Sequence, residues 1–142
     1  MSFEKDSAEY LAGAERTVNA RDWHGYGAYF AEDVHMRVPG AIGGMQGRGA
    51  RIDFVKGIVR TFPDGKIFGL RVFGVDPWAC CQFRFEGTNT GPLATPDGDA
   101  PPTGRSVTFP YCVVARFENG VIAEFDEYFD QLEMLQQLGV AP

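Results

Sequence analysis

The sequence predicts an α+β fold: a curved, mostly antiparallel sheet wrapped around N-terminal helices, forming a cone with a central pocket. Three observations carry this. Apolar residues at helical spacing fall almost entirely before Pro63, whereas long strand-like stretches follow from Lys66 onward, and such segregation of helices from a sheet defines an α+β layer. Asn119-Gly120 between two of those stretches is a two-residue hairpin signal of the type I′ kind. The chain also holds 12 Phe within an aromatic fraction of 13%, and so many rings need a thick core or a Phe-lined cavity to pack around.

Taken in order, Asp6–Asn19 places Leu11, Ala14 and Val18 on one stripe and reads as an amphipathic helix. A second, shorter helix over Asp22–Phe30 carries Trp23, Tyr26 and Phe30, weakened by Gly25 and Gly27. Asp33–Val38 is a short strand stopped at Pro39-Gly40, and Gly40–Gly49, with five glycines in ten residues, is loop. A third helix is expected over Ala50–Phe62, with Ile52, Val55, Val59 and Phe62 on one face, ended by the Pro63-Asp64-Gly65 turn.

Strands are expected at Phe68–Val75, Ala79–Gly87, Val107–Phe117 and Val121–Phe129. The hairpin at Asn119-Gly120 sets Phe117 opposite Ile122, Val114 opposite Phe125 and Cys112 opposite Glu127. Four prolines make Asn89–Arg105 an excursion rather than a continuous strand. Asp130–Leu138 closes the chain as a helix, with Asp130 and Glu133 spaced as a capping box and Gly139 as the stop. The order is α-α-β-α-β-β-β-β-α, within the size of one domain.

Composition removes several classes of function. The net charge is -6 without a cluster of Lys or Arg, which argues against nucleic acid and anionic membranes as partners. The apolar runs fall short of the ~20 residues of a membrane span. Met1–Asp6 carries neither a basic nor an apolar leader region, so no signal peptide is expected. Cys80, Cys81 and Cys112 are odd in number and two are adjacent, which suits small apolar strand residues in a reduced, cytoplasmic protein. With two His in the chain and no CxxC, neither a metal nor another cofactor is expected. Nucleophile-elbow, dinucleotide and phosphate-loop patterns are absent from the sequence.

Gly87-Thr88-Asn89-Thr90-Gly91-Pro92-Leu93, followed by Pro101-Pro102-Thr103-Gly104-Arg105, resembles the strand-loop-strand of SnoaL-like (ester) polyketide cyclases of the NTF2-like superfamily, which carry GTHTGxL and then PPTGR/K. Phe117–Glu124 resembles their next hairpin, and Tyr128-Phe129-Asp130-Gln131 with Leu135–Val140 their closing helix. The likeness covers nearly the whole chain. It departs from the family at Asn89, where the pattern has His, and at Ala94–Ala100, an insertion that could reshape the pocket mouth.

The resemblance implies an acidic general base on the last long strand. Limonene-epoxide-hydrolase-like relatives place an Asp seven residues after the hairpin glycine, and here that position is Glu127. Alternation supports it: Val121, Ala123, Phe125, Glu127 and Phe129 share a face that is apolar apart from Glu127. A carboxylate desolvated in such a pocket becomes a usable proton acceptor near neutral pH. A bulge would put Asp126 in its place, while Asp130 is assigned to the helix cap.

Arg84 and Glu86 share a face with Gln82 and Thr88 and resemble the Arg-x-Asp of the same relatives. They are expected to face the pocket and bind or polarise a substrate oxygen, with an exposed ion pair as the alternative. His35 and Arg37 share a face of the short strand, His35 as a proton relay; Phe125, Phe129 and Cys112 complete the expected lining.

The function expected is cofactor-independent proton transfer on a hydrophobic, oxygenated, cyclic small molecule, leading to ring closure or isomerisation. Epoxide-hydrolase-like water activation is the second reading, and a non-catalytic binding or interaction module the third. The fold also implies a homodimer with sheets packed face to face.

Overall fold

The computed structural model describes residues 2–142. Ser2 caps α1 (Phe3–Asn19) by accepting from the Lys5 amide at 3.2 Å, and Asp22 caps the one-turn α2 (Trp23–Gly27) through the Gly25 amide. Tyr10, Ala14 and Val18 of α1 are buried one turn apart, as the apolar stripe requires. The remaining elements are β1 (Phe30–Arg37), β2 (Met45–Gln46), α3 (Arg48–Thr61), β3 (Lys66–Val75), β4 (Trp78–Thr88), β5 (Leu93–Thr95), β6 (Gly98–Ala100), β7 (Ser106–Glu118), β8 (Val121–Tyr128) and α4 (Gln131–Gln137).

Six strands form one sheet in the order β2-β1-β8-β7-β4-β3, with β1 parallel to β8 and the other pairs antiparallel. The α+β class therefore holds, with helices packed against one face of the sheet. Inner residues alternate with outer ones: Ala79, Cys81, Phe83 and Phe85 on β4, and Val107, Phe109, Val113 and Ala115 on β7, are buried. Tyr10 is the hub between helix and sheet. It meets Tyr29, Phe30, Phe83 and Phe125 edge-on, with ring centroids 5.5 to 6.2 Å apart, the geometry that aromatic quadrupoles favour.

Three short strands were not expected from the sequence. β2 forms inside the glycine-rich loop, and β5–β6 is a small hairpin inside the 89–105 excursion. The Ala94–Ala100 insertion does not line the inner cavity. It folds outward as that hairpin and is tied to the end of α3 by Arg60 and Asp99 at 2.6 Å.

The β7–β8 register also differs from expectation. Phe117 does face Ile122, with Asn119 and Gly120 both at positive φ as a type I′ turn requires. A bulge then shifts the pairing by one, so Val114 faces Asp126 and Cys112 faces Tyr128. The extra residue is Ala123, which lets Ile122 and then Phe125 and Glu127 all turn inward. Glu127 keeps the inner face because the bulge lies upstream of it.

Asp130 caps α4 by accepting from the Glu133 amide at 3.0 Å. The reciprocal bond of a capping box is not among the hydrogen bonds of the described residues. Leu138 turns into the core, whereas Leu132 faces solvent.

Asn89, where the family pattern has a histidine, is fully buried and ties the excursion shut. Its Nδ2 donates to the carbonyls of Thr61 and Gly91, and its Oδ1 accepts from the amide and the hydroxyl of Thr103 at 2.8 and 2.9 Å. An amide carries both donors and acceptors, which this junction needs. Asn89→Ala should therefore leave buried partners unpaired and cost about 2–3 kcal/mol, read as a lower urea midpoint at unchanged m-value.

Candidate functional site

Under the sheet lies a cavity of about 80 Å³, lined by Val55 and Ile58 of α3, Phe85 of β4, Phe109 of β7, Phe129, and Met134 of α4 among others. The Phe excess thus serves both purposes: Phe30, Phe83 and Phe125 fill the core, while Phe54, Phe85, Phe109 and Phe129 line the cavity. For scale, a dry apolar cavity of about 150 Å³ admits benzene. This one is about half that size, so a molecule larger than benzene would extend outside it or displace side chains.

Glu127 is the one carboxylate lining the cavity among the described residues, and it is 7% exposed. Its Oε1 accepts from Nη2 of Arg51 at 2.9 Å, and Arg51 is 4% exposed. Arg51 Nε donates to the Tyr26 hydroxyl at 3.0 Å. The guanidinium also sits over the rings of Phe125, at 4.6 Å from the centroid, and Phe54, at 5.3 Å, within range of cation–π attraction. Nη1 of Arg51 is sealed from solvent and has no hydrogen-bond partner among the described residues. Glu127 Oε2 takes no part in the hydrogen bonds of the site.

Nothing local explains an arginine here. Arg48 and Arg51 lie in the first turns of α3, whose N-cap Gly47 offers no side-chain cap. Cations at that end oppose the helix dipole, at a typical cost of 0.3–1 kcal/mol each. Tertiary partners hold both: Arg48 binds the Phe30 carbonyl through Nε and Nη2, and Arg51 binds Glu127 and Tyr26. Burial works against the charge on Arg51, but Glu127 and the phenol oxygens of Tyr26 and Tyr10 outweigh it, so its pKa lies above the ordinary guanidinium value. Tyr111 of β7, stacked on Phe83, also lines the cavity. Burial, and next the charge of Glu127, push its pKa well above that of a free phenol, so it stays a neutral hydroxyl donor.

Of the residues expected at the pocket, Glu127 and Phe129 line it, and Phe125 lies beneath the guanidinium. The expectation fails for Arg84, Glu86, Gln82 and Thr88. They occupy the outer face of β4, because the alternate set Ala79, Cys81, Phe83 and Phe85 is apolar and takes the core. Arg84 and Glu86 pair at 3.1 Å with side chains 42% and 48% exposed, a bond worth little in water.

His35 and Arg37 also point outward, since Val34, Met36 and Val38 are buried. Asp126 and Cys112 likewise alternate with inner residues. Three of these outward groups share one surface with Glu124. His35 pairs in register with Glu124 and Arg37 with Asp126, and all four line an open outer groove of about 960 Å³ beside the glycine-rich loop. None of them reaches the inner cavity. Cys80 and Cys112 are half-buried on the outer face and Cys81 is buried inside, all three as free thiols.

Sequence reasoning missed Arg51, Tyr26 and Tyr111. Two of them had a signal. Arg51 falls on one helical stripe with Val55, Ile58 and Phe62, so a charge lies on an apolar face, and Tyr111 sits in the inward alternation of Val107, Phe109 and Val113. Tyr26 was placed correctly on its helix face, without a polar role.

A family model described as SnoaL-like polyketide cyclase matches residues 9–138. The chain belongs to the SnoaL-like polyketide cyclase family. Solved structures of the same fold include a protein assigned as a SnoaL-like polyketide cyclase from Jannaschia sp. CCS1, with 17% identity, a TM-score of 0.84, and coverage of 100% of this chain and 97% of that one. IdmH from Streptomyces antibioticus is 23% identical, with a TM-score of 0.78 over 94% of this chain and 99% of its own. An NTF2-like protein of unknown function from Burkholderia pseudomallei is 21% identical, with a TM-score of 0.75 over 97% and 98%. At these identities the likeness establishes the NTF2-like fold of the family member described here. No curated protein matches the sequence at a significant level. Among the described residues, no helix is long and apolar enough to cross a membrane.

Proposed function

We propose that this protein is a cofactor-independent proton-transfer enzyme, a polyketide cyclase or isomerase, acting on a hydrophobic, oxygenated, cyclic small molecule. The observation that carries the reading is the placement of Glu127: a buried carboxylate on the wall of a cavity otherwise lined mainly by Phe and aliphatic side chains. Membership of the cyclase family supports it. Glu127 acts as the general base through Oε2, the oxygen that Arg51 leaves unbonded. It removes a proton from carbon next to a carbonyl; the C–H electrons form the enolate double bond, and the carbonyl π electrons move to oxygen. Phe85, Phe109 and Phe129 bind the apolar body of the substrate.

The test is solvent deuterium exchange at the α-carbon of a panel of cyclic ketones and diketones, followed by NMR. The wild type should speed exchange and Glu127→Gln should not. A wild type that exchanges no faster than buffer would sink the enzyme reading and leave a binding module.

The same reading includes a homodimer. Phe73, Val75, Trp78 and Tyr128 are exposed on the outer side of the sheet, where a second copy would cover them. Sedimentation should give twice the 15.6 kDa of the chain, and Trp78→Glu should shift it towards monomer; a wild type of single mass would end this part of the proposal.

A further inference from the structure

Arg51 carries a feature that its pairing with Glu127 leaves unexplained. A buried donor without a partner costs roughly 1–3 kcal/mol, and more when charged, yet Nη1 is sealed and unbonded while Nη2 and Nε are both used. The guanidinium lines the cavity from α3, as Glu127 does from β8. An arginine presents its donors in a planar fork, so one guanidinium can serve two oxygens at once. Here one of those places is taken and the other is free.

We propose that Arg51 is the oxyanion anchor of this site, and that it lets the cavity keep a constant charge during proton transfer. The inference rests on the reading of Glu127 as base. Before reaction the buried pair is Arg51⁺ with Glu127⁻. When Oε2 takes the proton, the Oε2–H bond forms as the substrate C–H bond breaks, and the negative charge passes to the substrate oxygen. That oxygen takes the donor at Nη1, which is covered in this structure and is brought to the cavity by a turn of the guanidinium, and the pair becomes Arg51⁺ with enolate⁻ beside a neutral Glu127. The Arg51 position and its partner oxygen hold one positive and one negative charge throughout, while Arg21, which also lines the cavity, stays bound to the carbonyls of Val18, Pro63 and Gly65. Moving a charge between two oxygens on one guanidinium avoids the cost of creating an unpaired ion in an apolar cavity.

The ligand class follows. It is a compact carbonyl compound whose enolate is the bound form, with its oxygen and its acidic carbon close enough to reach Arg51 and Glu127 together. Other groups around the pair are Tyr26 on α2, Tyr10 on α1 and Tyr111 on β7, with Arg21 lining the same cavity just after α1 and Cys81 on β4 behind Tyr10 and Tyr111. Tyr10, Tyr111 and Cys81 are held neutral by burial, Cys81 with its thiol pushed up to about 12. The proton taken up with an enolate is assigned to Glu127, the one carboxylate on the cavity wall among the described residues.

The test is calorimetric titration with 1,3-cyclopentanedione, present as its enolate in neutral water, and with uncharged cyclopentanone. Each is titrated in two buffers of different ionisation heat, which counts protons taken up. The wild type should bind the enolate in preference to the ketone and take up about one proton per ligand. Glu127→Gln should bind the enolate at least about tenfold more tightly with no proton uptake, because the competing carboxylate charge is gone. Arg51→Lys, which keeps the charge but not the fork, should lose about tenfold or more of the enolate preference. In case that variant misfolds, Arg51→Met/Glu127→Leu removes the whole pair and should show no preference for the enolate.

Enolate binding by the wild type without proton uptake, equal preference in Arg51→Lys, or no enolate binding at all would overturn the proposal. The two readings can fail separately. Deuterium exchange that depends on Glu127 while enolate preference ignores Arg51 leaves the base and removes the anchor. Proton-linked enolate binding with no exchange leaves the anchor and removes the catalyst.

Discussion

Arg51→Met should destabilise the protein by about 3–5 kcal/mol, the cost of leaving one member of a buried ion pair alone. Methionine fills much of the arginine stem's volume, so the loss reports the charge rather than a cavity. Glu127 would be left 7% exposed with no cation beside it, and the Tyr26 hydroxyl would lose its donor. Without its counter-ion a buried carboxylate favours its protonated form. The deficit should therefore narrow as pH falls towards the carboxylate range and widen above it.

The double variant Arg51→Met/Glu127→Leu separates this from a general packing defect. Replacing both partners by apolar groups of similar size is often neutral or stabilising. Urea denaturation of the wild type, both single variants and the double variant forms a complete cycle. A double variant as unstable as Arg51→Met would mean that packing, and not the unpaired carboxylate, sets the cost. A double variant near wild type would show that the pair contributes little net stability and is kept for what it does.

Glu127→Gln should lower the proton-transfer rate by about 10²–10⁴-fold, the range typical of a positioned general base. Glutamine is nearly the same shape and its amide oxygen can still accept from Arg51 Nη2, so the cavity wall is preserved while the base is removed. Its activity must be referred to folded protein, since Arg51 then lacks its counter-charge. Exchange in Glu127→Gln within a few-fold of wild type would move the base elsewhere. The outer groove with His35, Glu124 and Asp126 would then be the place to look.

Much of the fold could be read along the chain because its signals are local. Asn119-Gly120 demands two residues at positive φ and obtains them. Asp130 stands one residue before a helix and caps it. Alternation along β8 placed Phe125 and Glu127 on one face, and the bulge at Ala123, which shifts their cross-strand partners by one, leaves both facing inward. Asn89 was legible only as a departure from a pattern. Its role as a four-way hydrogen-bond junction depends on the loop returning to it at Thr103.

By itself, then, the sequence determined where the chain turns, that one acid stands on an apolar strand face, and which residues share a face except at the β8 bulge, where Ile122 rather than Val121 and Ala123 turns inward with Phe125 and Glu127. It did not determine which face of each strand is inside. That was decided by competition between the two faces across the whole layer. On β4 the Ala79, Cys81, Phe83, Phe85 set has more to gain from burial than Arg84 and Glu86 lose by staying wet. Only the tertiary structure supplied the partner of Glu127. Arg51 stands 76 residues away on a helix laid across the sheet, and the angle at which a helix crosses a sheet follows from packing, not from any spacing along the chain.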